Sequence, residues 1–363
     1  MIEPIPLTAT ASDGAPIALD WFPPPRHPEV RRGLRSGTAT TTPEVLRSAQ
    51  DDAAPVLLIH GYAQNRYTFH HPTRSLAAHL AAGGRDVFVV ELRGHGRSRA
   101  EGAPWPRGIR DYLDLDLPAA VSLIRGRTGA DRVILVGHSL GGLLAQLYAG
   151  TRPDRVAAVC TLSAPSHRLG TSRLFRTPAI RRLTRVALAL RDRGLSDLAF
   201  KALPSFPLDH IGVLSFAVEE HLWARLPARL RAGRRNPLMP IRPWRAGSFE
   251  PDMERDRFRK GFDRTGIHVT LDLLEWGARG RIPGAPGEED LAGRLAGVTC
   301  PVLLLSSPDD ETIRARFTTH PEDLPGAAVT AREIPGFGHC DLVLGTDAPA
   351  DVWPHIDAWI ATL

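Results

Sequence analysis

Apolar residues in this chain gather into short unbroken runs: Val56-Leu-Leu-Ile59, Val87-Phe-Val-Val90, Val133-Ile-Leu-Val136, Val156-Ala-Ala-Val-Cys160 and Val302-Leu-Leu-Leu305. Runs this short and this rich in branched side chains predict strands buried on both faces, as in a parallel sheet. Helical spacing fills the intervals. Thr73 to Ala82 reads as a helix closed by Gly83-Gly84, residues 111–126 as another with Pro118 as its kink or start, and Leu143 to Ala149 as a third. The alternation predicts an α/β protein with a mostly parallel twisted sheet flanked by helices.

Three stretches depart from that rhythm. Residues 14–22 read as an early strand ending at Pro23-Pro24-Pro25. Residues 26–54 are rich in Arg, Thr, Ser and Asp, lack aromatic residues and repeat Pro-Glu-Val imperfectly at Pro28 and Pro43. Such a segment buries too little apolar area to offset the entropy of ordering it, and it reads as a disordered insertion in a hairpin loop; a partner-binding role is the alternative. Residues 166–298 break the alternation altogether. There Thr177-Pro178 reads as an N-cap and first helical residue, with an apolar stripe at Ile180, Leu183, Ala187 and Leu190, basic Arg181, Arg182 and Arg185 off it, and Gly194 as a stop. Val269 to Trp276 is again helical. The sheet resumes with the run from Val302 and ends in a strand over Ala327 to Ile334; a last helix from about Ala350 buries Val352, Ile356 and Ile360.

The chemistry concentrates where the central strand meets its helix, at Gly137-His138-Ser139-Leu140-Gly141-Gly142. A strand, a sharp turn and a helix here force Ser139 into a strained backbone conformation that presents its hydroxyl alone, while Gly137 and Gly141 remove Cβ atoms that would clash. The stretch resembles the nucleophile elbow of the α/β-hydrolase family. The run Leu58-Ile59-His60-Gly61-Tyr62 resembles the family's third strand and oxyanion loop, and Arg93-Gly94-His95-Gly96-Arg97-Ser98 its fourth-strand turn, although an Asp usually stands where this chain has Glu91. The same turn does not complete Gly-x-Gly-x-x-Gly, so it gives no support to a dinucleotide site.

By that resemblance Ser139 is the nucleophile, and the backbone N–H groups of Tyr62 and Leu140 form the oxyanion hole. The acid follows Leu305-Ser306-Ser307-Pro308 as Asp310, with Asp309 the alternative because Ser307 replaces the usual glycine. The strand end at Ser163-Ala164-Pro165 offers no carboxylate. The glycine-rich loop Gly336-Phe337-Gly338-His339 delivers the histidine, and the order Ser139, Asp310, His339 is that of the family. His60 reads as a brace for its loop and His138 as a structural or pocket-lining residue. The resemblance divides the chain into a core over 1–25 and 55–165, a helical cap over 166–298, and a second core part over 299–363. Trp223, Trp244, Trp276, Phe200, Phe206 and Phe216 are core or pocket-wall residues of the cap.

The function this implies is a serine hydrolase cleaving small-molecule or lipid carboxylic esters, without cofactor or metal. Thioesterase, lactonase, C–C hydrolase and perhydrolase chemistry can share the triad. Epoxide hydrolase and haloalkane dehalogenase relatives use Asp in place of Ser139, and a non-catalytic binding protein would have lost a triad member. No His-Glu-x-x-His spacing suggests a metal.

Composition alters this picture in one respect. Hydrophobic residues make up 43% and charged residues 23%, ordinary for a globular protein. The net charge of +5 is almost wholly arginine, since Lys201 and Lys260 are the only lysines. Residues 166–264, however, carry nineteen Arg and two Lys against ten acidic residues. That excess reads as a solvated face or as peripheral contact with an anionic membrane surface; no aromatic and basic pattern for nucleic acid accompanies it. Cys160, Cys300 and Cys340 form no pair motif, no signal peptide precedes the first strand, and no run reaches the roughly 18 residues of a membrane span, so a cytoplasmic protein is expected. Oligomeric state is not legible.

Overall fold

The computed structural model describes residues 2–25, 53–166, 178–194, 204–207, 243–284 and 290–363, with single residues at 210, 218 and 225. Eight strands form the principal sheet: β1 (Ile5–Thr10), β2 (Pro16–Phe22), β3 (Val56–Ile59), β4 (Val87–Glu91), β5 (Val133–His138), β6 (Val156–Leu162), β7 (Val302–Ser306) and β8 (Val329–Glu333). Their order is β1-β2-β4-β3-β5-β6-β7-β8. β2 is antiparallel to both β1 and β4, and every later pairing is parallel.

The parallel register explains the apolar runs. In β3 all four residues are buried, Leu57 and Ile59 in the core on one face and Val56 and Leu58 in the core on the other. A strand covered on both sides has no polar face to alternate with. The principal helices are α1 (Leu76–Ala82), α2 (Leu117–Thr128), α3 (Leu140–Thr151), α4 (Pro178–Asp192), α5 (Ile267–Arg279) and α6 (Trp353–Ile360). Side chains of α2 and α3 complete the first core, and those of α1 and α6 the second. α1 begins later than the sequence suggests because Ser75 is its N-cap, accepting from the Ala78 N–H at 3.0 Å. Ahead of α2, a π-helical turn over Tyr112–Asp116 precedes Pro118, which has no N–H to give to a regular ladder.

Two elements differ from expectation. β1 is a strand that no periodicity announces, because it lies on the sheet edge with four of its six residues exposed and a proline at position 6. The chain between β2 and β3 is a crossover and not a hairpin loop, because β4 lies between those strands in the sheet. Residues 26–52 of that connection, with Thr177, Phe200, Phe216 and Trp223, lie outside the described residues, as do the side chains of Ile180, Leu183 and Phe206.

The described parts of 166–298 pack onto the sheet's cores. Trp244, Phe249, Met253 and Phe258 join the core on one face, and Val269, Trp276 and Ile282 the core on the other. α4 buries Thr184, Ala187 and Leu188 and exposes Arg181, Arg182 and Arg185. Arg191 near its end reaches the α5 carboxylates Asp272 and, at 3.3 Å, Glu275. Asp272 in turn accepts the Ile109 N–H at 2.7 Å, which fastens α5 to the core. Among the described residues no helix is long and apolar enough to cross a membrane.

Candidate active site

Parallel strands deliver their following turns to one edge, and the candidate residues lie there. Ser139 joins β5 to α3 with φ 53° and ψ −124°. Ala63 after β3 and Ser163 after β6 are the other non-glycine residues of positive φ among those described. Backbone strain therefore collects at three strand ends on one edge, as it does at sites whose geometry is imposed by surrounding structure. The elbow's glycines answer to close packing. A Cβ on Gly137 would stand 2.3 Å from the Gly141 carbonyl oxygen, and one on Gly141 would stand 2.1 Å from that of Ile59. Gly61 lies against the elbow as well, since its Cβ would be 3.0 Å from Ser139 Cβ. Tyr62 thus follows a residue in contact with Ser139, and Leu140 opens the first turn of α3, where N–H groups have no intrahelical acceptor.

The structure places Asp310, not Asp309, on the histidine. His339 Nδ1 is 2.7 Å from Asp310 Oδ2, with both side chains buried. The other Asp310 oxygen accepts the N–H groups of Thr312 and Ile313 at 2.7 and 2.9 Å. Nδ1 therefore carries the proton, and Nε2 is left as the basic nitrogen. Asp309 is exposed and accepts the Gly336 N–H at 2.7 Å, which anchors the loop carrying His339. Ser307, in the position of the family's glycine, donates its hydroxyl to the Phe337 carbonyl at 2.7 Å and holds the same loop.

His60 is wholly buried, bonding the Gly61 carbonyl through Nδ1 at 2.9 Å and accepting the Leu92 N–H on Nε2 at 3.2 Å. It braces the loop after β3 against the end of β4, and burial lowers its pKa to about 4. The Tyr62 hydroxyl meets Thr270 Oγ1 of α5 at 2.9 Å, and burial raises its pKa to about 12. The segment around Pro243 touches the histidine loop too, through the Cys340 N–H donated to the Pro243 carbonyl at 2.7 Å and the Arg245 N–H donated to Asp341 at 3.3 Å. No sequence pattern singles out Gln64, whose side chain is buried among the Gly61 N–H, Thr68 and His138. Glutamine in a polar loop carries no signal of such a role. Among the described residues no three His, Cys, Asp or Glu side chains converge as a metal site requires.

The model of the alpha/beta hydrolase fold matches residues 54–346. This chain belongs to the α/β-hydrolase fold family. Relatives within it include lipase LipV of Mycobacterium tuberculosis, 35% identical over 130 residues that span 36% of this chain and 44% of that protein. Epoxide hydrolase B of the same organism is 31% identical over 33% of this chain and 32% of its own length. Triacylglycerol lipase of Pseudomonas fragi is 31% identical over 31% and 35%. The chain thus spans less than half the length of these curated relatives. Among solved structures, one reported as Est816, an N-acyl homoserine lactone degrading enzyme, superposes over 97% of this chain and 100% of its own with TM-score 0.53 at 18% identity. An α/β-hydrolase from Novosphingobium aromaticivorans covers 100% of both chains with TM-score 0.52 at 17% identity. Such distant likeness supports the α/β-hydrolase fold alone.

Proposed function

We propose that this α/β-hydrolase cleaves carboxylic esters through an acyl-enzyme on Ser139. The observation that carries the reading is the buried His339–Asp310 contact on the same strand-end edge as the strained Ser139. Ser139 Oγ attacks the acyl carbon while its proton passes to His339 Nε2, and Asp310 holds the ring and offsets the charge of the imidazolium. The Tyr62 and Leu140 N–H groups receive the oxyanion. Collapse of the tetrahedral intermediate expels the alkoxide, which takes the proton from His339. Water then attacks the acyl-enzyme, giving a proton to His339, and the acid leaves as Ser139 recovers it.

Epoxide opening, the activity named for several relatives, fits this nucleophile poorly. A carboxylate that opens an epoxide forms an ester that water can cleave, whereas a serine hydroxyl would form an ether that it cannot. Residues 166–298 serve as the cap that sets substrate range, and the outward Arg181, Arg182 and Arg185 of α4 support an approach to anionic lipid surfaces.

The purified protein should release p-nitrophenol from short or medium acyl esters and take up a fluorophosphonate label as a mass shift on Ser139. Equal turnover by Ser139→Ala, or labelling elsewhere only, defeats the proposal.

A further inference from the structure

Three strand ends must be held in one arrangement if a nucleophile, an oxyanion loop and a basic nitrogen are to meet one substrate, and β3, β5 and β8 each supply one. Two buried side chains that the mechanism does not use lie between them. The Gln64 amide oxygen accepts the Gly61 N–H at 3.1 Å and the Thr68 hydroxyl at 3.0 Å, and it lies 3.0 Å from His138 Nδ1. Its amide nitrogen points to Cys340 Sγ at 3.4 Å. His138 Nε2 lies 2.9 Å from the backbone carbonyl of His339, and the two imidazole rings pack with centroids 4.6 Å apart. Every member is at least nine-tenths buried, with His138 at zero exposure and Gln64 at 6%.

We infer that Gln64 and His138 form a positioning pair that sets the oxyanion loop and the His339 loop relative to the elbow. Gln64 ties Gly61 to Thr68 within its own loop, and His138, which adjoins Ser139 in sequence, gives its N–H either to Gln64 or to the main chain of His339. Both ring nitrogens of His138 face oxygens that accept. A neutral ring has one N–H and therefore donates to one of them at a time. The amide orientation of Gln64 is fixed by the Gly61 N–H, which can only be given to an oxygen. The groups facing His138 are thus Gln64 from the oxyanion loop and His339 from the histidine loop, and the position of one ring proton decides which of the two loops the elbow holds. A misplacement of about 1 Å in such a site costs on the order of a hundredfold in rate.

This inference rests on the serine-hydrolase reading, and its test separates the two. Met and Gln are nearly equal in size, so His138→Met and His138→Gln differ in polar contact rather than in volume. With p-nitrophenyl butyrate, His138→Met should lose about tenfold or more in kcat with KM within about twofold of wild type. His138→Gln keeps an N–H for the His339 carbonyl and should recover most of that loss. Gln64→Met, which strands the Gly61 N–H, should fall in kcat as well. Circular dichroism and thermal midpoints report folding, and if His138→Met does not fold, the Gln64→Met rate decides. Folded variants that match wild-type kcat overturn the positioning pair, as does a His138→Gln no faster than His138→Met. A wild type that neither turns over ester nor takes the fluorophosphonate label overturns the hydrolase reading and this inference with it.

Discussion

His339 and Asp310 meet at 2.7 Å through Nδ1 and Oδ2, while the second Asp310 oxygen is occupied by two backbone N–H groups. A carboxylate so held can only present its remaining oxygen to the histidine, which fixes the ring's tautomer. Asp310→Asn turns an acceptor into an amide that can face the ring with its donor and reverse that tautomer. The expected loss in kcat is on the order of 10³ to 10⁴, with little change in fold. Asp309→Asn keeps an oxygen for the Gly336 N–H and should stay within about threefold of wild type. Parallel kinetics on the two variants check the assignment, and comparable losses in both would defeat it.

Ser139 carries positive φ, and a Cβ there costs of order 1 to 3 kcal/mol in strain. Part of that is offset because glycine is more flexible when unfolded. Ser139→Gly should therefore be more stable than Ser139→Ala by about 1 kcal/mol, with both inactive. Denaturant midpoints of the two variants measure the difference. A glycine variant no more stable than the alanine one would show that the elbow is not strained.

Burial holds the pKa of His60 at about 4, below its unfolded value of about 6.5. From pH 6.5 down to about 4 the unfolded chain takes up a proton that the folded ring refuses, so this residue lowers stability as pH falls through that window. The contribution is on the order of 3 kcal/mol at its limit. Thermal midpoints at pH 7 and pH 5 should fall further apart in wild type than in His60→Gln. Equal slopes would mean that the ring titrates in the fold as it does outside it.

Arg191 is the bridge from α4 to buried carboxylates, for Asp272 is 2% exposed and Glu275 4%. Glu275 keeps Arg279 and Arg281 when Arg191 is lost, at 3.1 and 3.0 Å. Asp272 is left with the Ile109 N–H, so a buried charge loses its counter-ion. Arg191→Met should cost about 3 kcal/mol in the docking of α4 and speed tryptic cleavage among Arg181, Arg182 and Arg185. Unchanged cleavage would place the hold on α4 in its apolar contacts and in the Asp192–Arg279 pair instead.

What was legible in the sequence follows the physics of burial. Strands covered on both faces announce themselves as apolar runs, and the turn after β5 does so through glycines that only close backbone packing demands. The edge strand β1 left no periodicity because solvent imposes none on its exposed face. Asp309 and Asp310 differ in chain position by one residue and in surroundings completely, and only the fold of the following loop distinguishes them. Gln64 is invisible for a related reason: beside its local partners Gly61 and Thr68 it meets His138 and Cys340 from distant parts of the chain, and no local spacing records that meeting.

Glycine requirement can be tested by comparing two helical positions. A Cβ on Gly141 would lie 2.1 Å from the Ile59 carbonyl oxygen and 2.5 Å from that of His60, both of them backbone atoms of a buried strand end. Neither can move without shifting β3, so Gly141→Ala must push α3 away from the sheet and carry the Leu140 N–H with it. The expected cost is about 3 kcal/mol, with activity lost in whatever folds. Gly126 in α2 has no atom within 4 Å of its would-be Cβ, and Gly126→Ala should gain up to about 1 kcal/mol from helix propensity. Chemical denaturation of both variants reads the two effects as opposite shifts of the midpoint. A tolerated Gly141→Ala would mean that α3 does not approach β3 as closely as the elbow requires.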